Sequence, residues 1–140
     1  LSKPSQIADR CKEIGVKTCA LTDHGNIAGA VKFYGEMKKA GIKPILGCEL
    51  YICKDHPSIK TIENKELSHF IVLAKNYQGW KQLIKIVSES NKAEYFYHKP
   101  RLSLETLAEF IDGNLIGLVG HVGSTLSDEI VDSYSTLKTD

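Results

Sequence analysis

The chain has 140 residues, 42% of them hydrophobic and 25% charged, with 18 basic against 17 acidic residues and a net charge of +1. That mix excludes a disordered tail, a collagen-like fibre and a coiled coil, and it gives one domain's worth of chain able to bury roughly two-thirds of its unfolded surface. The balanced totals show no strongly basic nucleic-acid surface, although a local patch or a partner domain can supply one, and no apolar run approaches the ~20 residues that span a bilayer.

In chain order, Pro4 to Ile14 is predicted helical: Pro4 suits a first turn, Ile7, Cys11 and Ile14 share a face, and Gly15 can end it in the left-handed conformation. Lys17 to Leu21 is a short strand. Asn26 is expected to cap a second helix with Ile27, Ala30, Val31, Tyr34 and Met37 on one face and Gly41 after it. Pro44 to Ile52 is a second strand and His69 to Ala74 a third. Asn76 caps a helix from Tyr77 to about Ser90, with Trp80, Leu83, Ile84 and Val87 together; Ser103 caps a short helix through Phe110; Leu115 to Val119 is a fourth strand. Strands alternating with helices, most of them continuously apolar, point to an α/β domain with a mostly parallel sheet. The polar stretch 54–68 lacks a helical stripe. It is either a long loop or a hairpin connection that would make the second and third strands antiparallel.

Leu1 stands at the start, and no signal peptide is seen. The expectation is an internal fragment of a longer, cytoplasmic protein. The four cysteines, Cys11, Cys19, Cys48 and Cys53, form no CxxC pair and no zinc-finger spacing, as expected of buried small hydrophobes in a reducing compartment.

Function in α/β domains gathers at the carboxyl ends of strands. Asp23 and His24 follow the first strand, Glu49 interrupts the apolar second, His69 opens the third, and His121 follows the fourth. Imidazoles and carboxylates are ligand types for zinc, manganese or iron, and such an ion activates water and neutralises phosphate charge. Taken singly, each has a plainer reading as a turn, cap or strand-edge residue. Glu49 is the hardest to set aside, because a buried carboxylate needs a partner. The run Tyr95-Phe96-Tyr97-His98-Lys99-Pro100-Arg101 interleaves aromatic and basic residues, which makes Lys99 and Arg101 candidate nucleic-acid contacts; an ordinary aromatic loop packed on the domain is the preferred reading. No GxGxxG, GxxxxGK[ST] or GxSxG motif occurs.

Several segments carry a family resemblance. They are Ala20-Leu21-Thr22-Asp23-His24-Gly25-Asn26, the run Gly29 to Tyr34, the run Ala40 to Glu49 containing Gly-Ile-Lys-Pro-Ile and Gly-Cys-Glu, the run His69 to Asn76, Tyr97 to Arg101, and Leu115 to His121. In this order they resemble the polymerase and histidinol phosphatase (PHP) domain at the start of bacterial DNA polymerase III alpha subunits. The resemblance implies a distorted (β/α)7, TIM-like barrel, of which residues 1–140 would be one partial domain lacking the first and last strands. It implies metal ligands at His24, Glu49 and His69, with His121 where the family often has cysteine, and Asp23 behind them, orienting a ligand or the turn. The family's HxH and aspartate-x-histidine motifs do not occur in these residues.

The function so implied is part of a replicative polymerase. Its PHP domain would use divalent metal, zinc or manganese in a multinuclear cluster, for phosphoesterase or 3′–5′ exonuclease chemistry. Magnesium would serve polymerisation elsewhere in the parent, and the partners would be DNA and other replicase subunits, with no membrane. Two other readings stand beside it: a metal-poor module that supports the polymerase, and a stand-alone phosphoesterase.

Overall fold

The computed structural model describes residues 2–119 together with Ser124, Leu126, Ser127, Ile130, Val131 and Ser133. Helix α1 spans Pro4–Glu13. Pro4 sits in its first turn, where a missing N–H costs nothing, and Gly15 follows with φ 73°. Strand β1 spans Thr18–His24. It runs past the predicted end at Leu21, so His24 is its last residue and not part of a turn.

Helix α2 spans Ala30–Lys39. Asn26 does not cap it. Its Oδ1 accepts from the Ala28 N–H at 3.0 Å and its amide donates to the His24 carbonyl at 3.0 Å, which closes the turn after β1 instead. The buried face of α2 also differs from the expected one. Ala30, Phe33 and Met37 are buried, whereas Val31 is 82% exposed and Tyr34 47%. The helix leans on α1, and Phe33 and Met37 fill the space against Ala8, Cys11 and Ile42.

Strand β2 spans Lys43–Ile52 and β3 spans Ser68–Ala74. Helix α3, Tyr77–Ser90, begins at an Asn76 side chain that accepts from the Gly79 N–H at 2.9 Å. Helix α4, Leu104–Ala108, begins at Ser103, which accepts from Thr106, and β4 spans Leu115–Leu118.

The four strands lie in the order β1-β2-β3-β4. Only β1 and β2 pair in parallel; β2–β3 and β3–β4 are antiparallel. The sheet is therefore mixed, not mostly parallel, and the reason is in the connections. Residues 53–67 hold only the short 3-10 turn Glu63–Lys65, and without a crossover helix the chain must come back at the same edge. After β3, α3 runs back along the sheet and residues 91–114 return again, so Leu115 pairs with Ala74 at the edge where β3 ended.

Helices cover one face. Cys48, Leu50, Ile52, Val72, Leu83, Ile86 and Leu107 form one buried cluster, and the α1–α2 group forms another with Cys19, Leu21 and Leu46 against it. Because side chains alternate along a strand, the register assigns Ala20, Thr22, His24, Ile45, Glu49, Tyr51, His69, Ile71, Leu73, Ile116 and Leu118 to the opposite face. Ile116 and Leu118 on that face stay 45% and 43% exposed.

Candidate metal centre

His24 and Glu49 are register partners across the parallel β1–β2 pair. One strand further, His69 is the register partner of Tyr51. The antiparallel turn decides this meeting. His69 stands at the amino end of β3, and in a parallel sheet that end would lie at the far edge from His24. Reversal of the chain between β2 and β3 brings it back to the edge where β1 finishes.

The Glu49 carboxylate stands between the two imidazoles. One oxygen is 2.5 Å from His69 Nδ1 and the other is 3.4 Å from His24 Nδ1. Ligand-capable atoms of all three residues lie within 4.8 Å of one another. The Glu49 side chain is 14% exposed and that of His69 24%, while His24 at 63% opens the group to solvent. Two imidazoles and a carboxylate, partly buried with one open side, are a donor set that suits a divalent cation needing free positions for water and substrate.

The turn that begins at Gly25, directly after β1, is held to β2 by the Gly25 N–H, which donates to the Glu49 carbonyl at 2.8 Å. Glycine is required there. Its φ is 64°, and a Cβ would stand 2.7 Å from Pro100 Cγ and 3.1 Å from the Tyr51 ring.

Asp23 does not join the cluster. Alternation turns it to the helix-covered face, and its carboxylate approaches the start of α2, where a Cβ on Gly29 would lie 2.9 Å away. Beside it on β2, burial pushes the Cys48 thiol up to about 12, with the neighbouring Asp23 and Glu49 charges adding to the rise. Cys48 Sγ donates to the Asp23 carbonyl at 3.3 Å. All four cysteines are free thiols; three are buried and Cys19 is half-buried. His121 lies outside the described residues.

Arg101 is not a surface cation. It is fully buried, and its guanidinium donates to the carbonyls of Asn64, Pro57, Ile59 and Tyr95 at 2.6–3.2 Å. It holds the 53–67 connection in place. Lys99 is exposed and stands at the site's rim, its Nζ 3.3 Å from the Tyr51 hydroxyl and 4.3 Å from the centre of that ring. Sequence reasoning missed Tyr51. Its ring stacks on His24 at 6.2 Å and meets His69 edge-on at 5.3 Å. The signal was its place two residues after Glu49, which puts both on one face of the strand.

Helices thus cover one face of a mixed sheet, and a His-Glu-His group stands where β1 ends. The PHP domain family matches residues 1–138, and the chain belongs to that family. Its homologues include DNA polymerase III alpha subunits. That of Borreliella burgdorferi is 44% identical over 114 residues, covering 80% of this chain and 10% of that protein. That of Chlamydia pneumoniae is 40% identical over 128 residues, covering 90% of this chain and 10% of that protein. The chain thus spans about a tenth of the length of the curated relatives it matches. A solved structure from Bifidobacterium adolescentis, provisionally named a metal-dependent phosphoesterase, superposes with a TM-score of 0.46 at 13% identity over 64% of this chain and 28% of that one. Among the described residues, no helix is long and apolar enough to cross a membrane.

Proposed function

We propose that this chain is part of the PHP domain of a replicative DNA polymerase III alpha subunit, and that His24, Glu49 and His69 bind a divalent metal for hydrolysis of phosphodiesters at a DNA 3′ end. The observation that carries the reading is the convergence of three ligand atoms within 4.8 Å at the end of the sheet where β1 finishes. The identities to polymerase alpha subunits support the parent assignment.

Zinc or manganese is the proposed ion, and His121 the proposed fourth ligand. Supporting that fourth position, β4 runs toward the same edge as the site: Leu118 pairs with Ile71, two residues from His69. The proposed complete domain is a distorted (β/α)7, TIM-like barrel of which residues 1–140 form one part. Support comes from the uncovered apolar face with Ile116 and Leu118, which further strands would cover. The parent is proposed to act in the cytoplasm with DNA and other replicase subunits, and to use magnesium for polymerisation in another domain.

When bound, the cation supplies positive charge to the phosphate and acidifies water in contact with it. The chain's own residues do the rest. Glu49 and His69 hold the site from the buried side, and Glu49 fixes both imidazoles through its two oxygens. His24 faces the open side where a phosphodiester enters. In the proposed hydrolysis, water oxygen bonds to phosphorus, the bond from phosphorus to the 3′ oxygen breaks, and the departing oxygen takes a proton to leave a free 3′ hydroxyl.

The test uses Glu49→Gln, which keeps side-chain size and removes the charge. Manganese or zinc at a hundred times the dissociation constant should stabilise the wild type by about 2.7 kcal/mol, seen as a higher melting temperature, and should leave Glu49→Gln unmoved. In the intact parent, Glu49→Ala should abolish degradation of a 3′-labelled primer while primer extension continues. Unchanged primer degradation in a well-folded Glu49→Ala protein would overturn the proposal in favour of a supporting module.

A further inference from the structure

Lys99 is the lysine beside the candidate ligands. Lys81 also lies over a tyrosine, 4.8 Å from the Tyr77 ring centre, but that ring is not at the site, whereas Lys39 pairs with Glu36 at 3.0 Å and Lys92 with Glu89 at 2.6 Å. Among the described residues, no carboxylate lies within ion-pair distance of Lys99. Its Nζ instead sits 4.3 Å above the Tyr51 ring and donates to the Tyr51 hydroxyl at 3.3 Å. Tyr51 is only 8% exposed, and its ring contacts the imidazoles of both His24 and His69. One aromatic ring therefore separates an unneutralised ammonium group from the candidate ligands.

The backbone around Lys99 is fixed from both sides. Arg101 is fully buried, and Leu102 bonds to β2 through its N–H to the Tyr51 carbonyl at 3.1 Å. Pro100 packs against Gly25, where a Cβ would meet its Cγ at 2.7 Å. On the other side the Tyr97 N–H donates to the Lys99 carbonyl at 3.2 Å, and His98 between them takes φ 61° without being glycine. A left-handed non-glycine residue is uncommon, and such residues cluster at ligand clamps. Here the turn lays the lysine stem across the tyrosine.

We propose that Lys99, seated on Tyr51, is the anion-contacting residue of the His24–Glu49–His69 site and takes a non-bridging oxygen of the phosphate group of a nucleotide or nucleic-acid end. The inference rests on the phosphoester reading of that site and adds the group that recognises the substrate's charge. An ammonium is a compact charge with three rotatable donors. One goes to Tyr51 Oη, and two remain for phosphate oxygens. The ring–cation contact favours keeping the charge at that spot while the rest of the ammonium faces solvent. Lys99 does not touch the ion, so its loss should weaken the anion and spare the metal.

The experiment measures thymidine 5′-monophosphate binding by titration calorimetry, with and without manganese, in wild type, Lys99→Gln and Lys99→Arg. Manganese binding is followed separately by electron paramagnetic resonance, and folding by circular dichroism. The dissociation constant for the nucleotide should rise about tenfold in Lys99→Gln and recover in Lys99→Arg, while manganese affinity stays at the wild-type value in both. Nucleotide binding by folded Lys99→Gln equal to wild type would overturn the proposal, as would a wild type that binds no nucleotide under either condition. Failure of the metal reading shows differently: the wild type would bind no manganese, and the nucleotide arm without metal would still decide the role of Lys99.

Discussion

Arg101 brings a full positive charge to a fully buried position and meets no carboxylate there; four backbone carbonyls receive it. Buried charges are costly unless hydrogen-bonded, and these acceptors lie outside the strands and α-helices, one of them, Asn64, in the short 3-10 turn. Asn64 works beside it, accepting from the Asp55 N–H at 2.9 Å and donating to the carbonyls of His56 and Ile59. Arg101→Ala leaves those carbonyls without their donor and is expected to cost about 3 kcal/mol or more. Urea denaturation measures the loss, and limited proteolysis should cut within 53–67 in the variant before it cuts the wild type. A variant as stable and as resistant as the wild type would remove Arg101 from this role. A basic residue next to aromatics in sequence looks the same whether it faces phosphate or carbonyl. Only burial separates Arg101 from Lys99.

Among the elements, α2 and α3 show how packing can reverse a propensity. Glycine inside a helix costs roughly 0.5–1 kcal/mol relative to alanine. Gly35 in α2 has open space where a Cβ would go, so Gly35→Ala should stabilise by about 0.5–1 kcal/mol. Gly79 in the first turn of α3 lies against the backbone carbonyl of Asn114, just before β4. A methyl there must push the helix off the sheet, and Gly79→Ala should destabilise by about 1–3 kcal/mol despite its better propensity. Paired denaturant titrations check the opposite signs; a Gly79→Ala protein as stable as the wild type or more so would mean that α3 does not approach the residue before β4 this closely.

For the molecule as a whole, stability at high pH is tied to the buried thiols. Cys48 is raised to about 12, and Cys53 and Cys19 are raised as well, each first by burial. Unfolding returns these thiols to a value near 9.0. The proton is therefore held more tightly in the folded state. The stabilising contribution is complete below pH 9 and falls as pH rises toward 12, by about 1.4 kcal/mol per pH unit for Cys48 alone. Comparing denaturation of the wild type with Cys48→Ala at pH 8, 9 and 10 isolates the slope. The variant should lose stability more slowly above pH 9, and parallel slopes would rule the contribution out. Cys48, the register partner of Asp23, precedes Glu49 in sequence but packs in the helix-covered core, on the other face of the sheet from His24, Glu49 and His69.

The sequence by itself determined the local units and the chemistry-bearing residues. Pro4, Gly15, Asn76 and Ser103 marked helix ends because capping and φ requirements are local. His24, Glu49 and His69 stood out as ligand types at or near strands, and their segments carried the family likeness. What only the tertiary structure decided was direction and depth. The polar stretch 54–68 left two strand directions open, and the direction taken puts His69 beside Glu49. Asp23 is adjacent to His24 in sequence, yet alternation and the end of β1 at His24 turn it to the other face. Phe33, not Tyr34, fills the core because α1 lies across α2, and Arg101 is buried because a connection from elsewhere in the chain closes over it. Each of these depends on contacts between residues far apart in sequence, which no local pattern of spacing encodes.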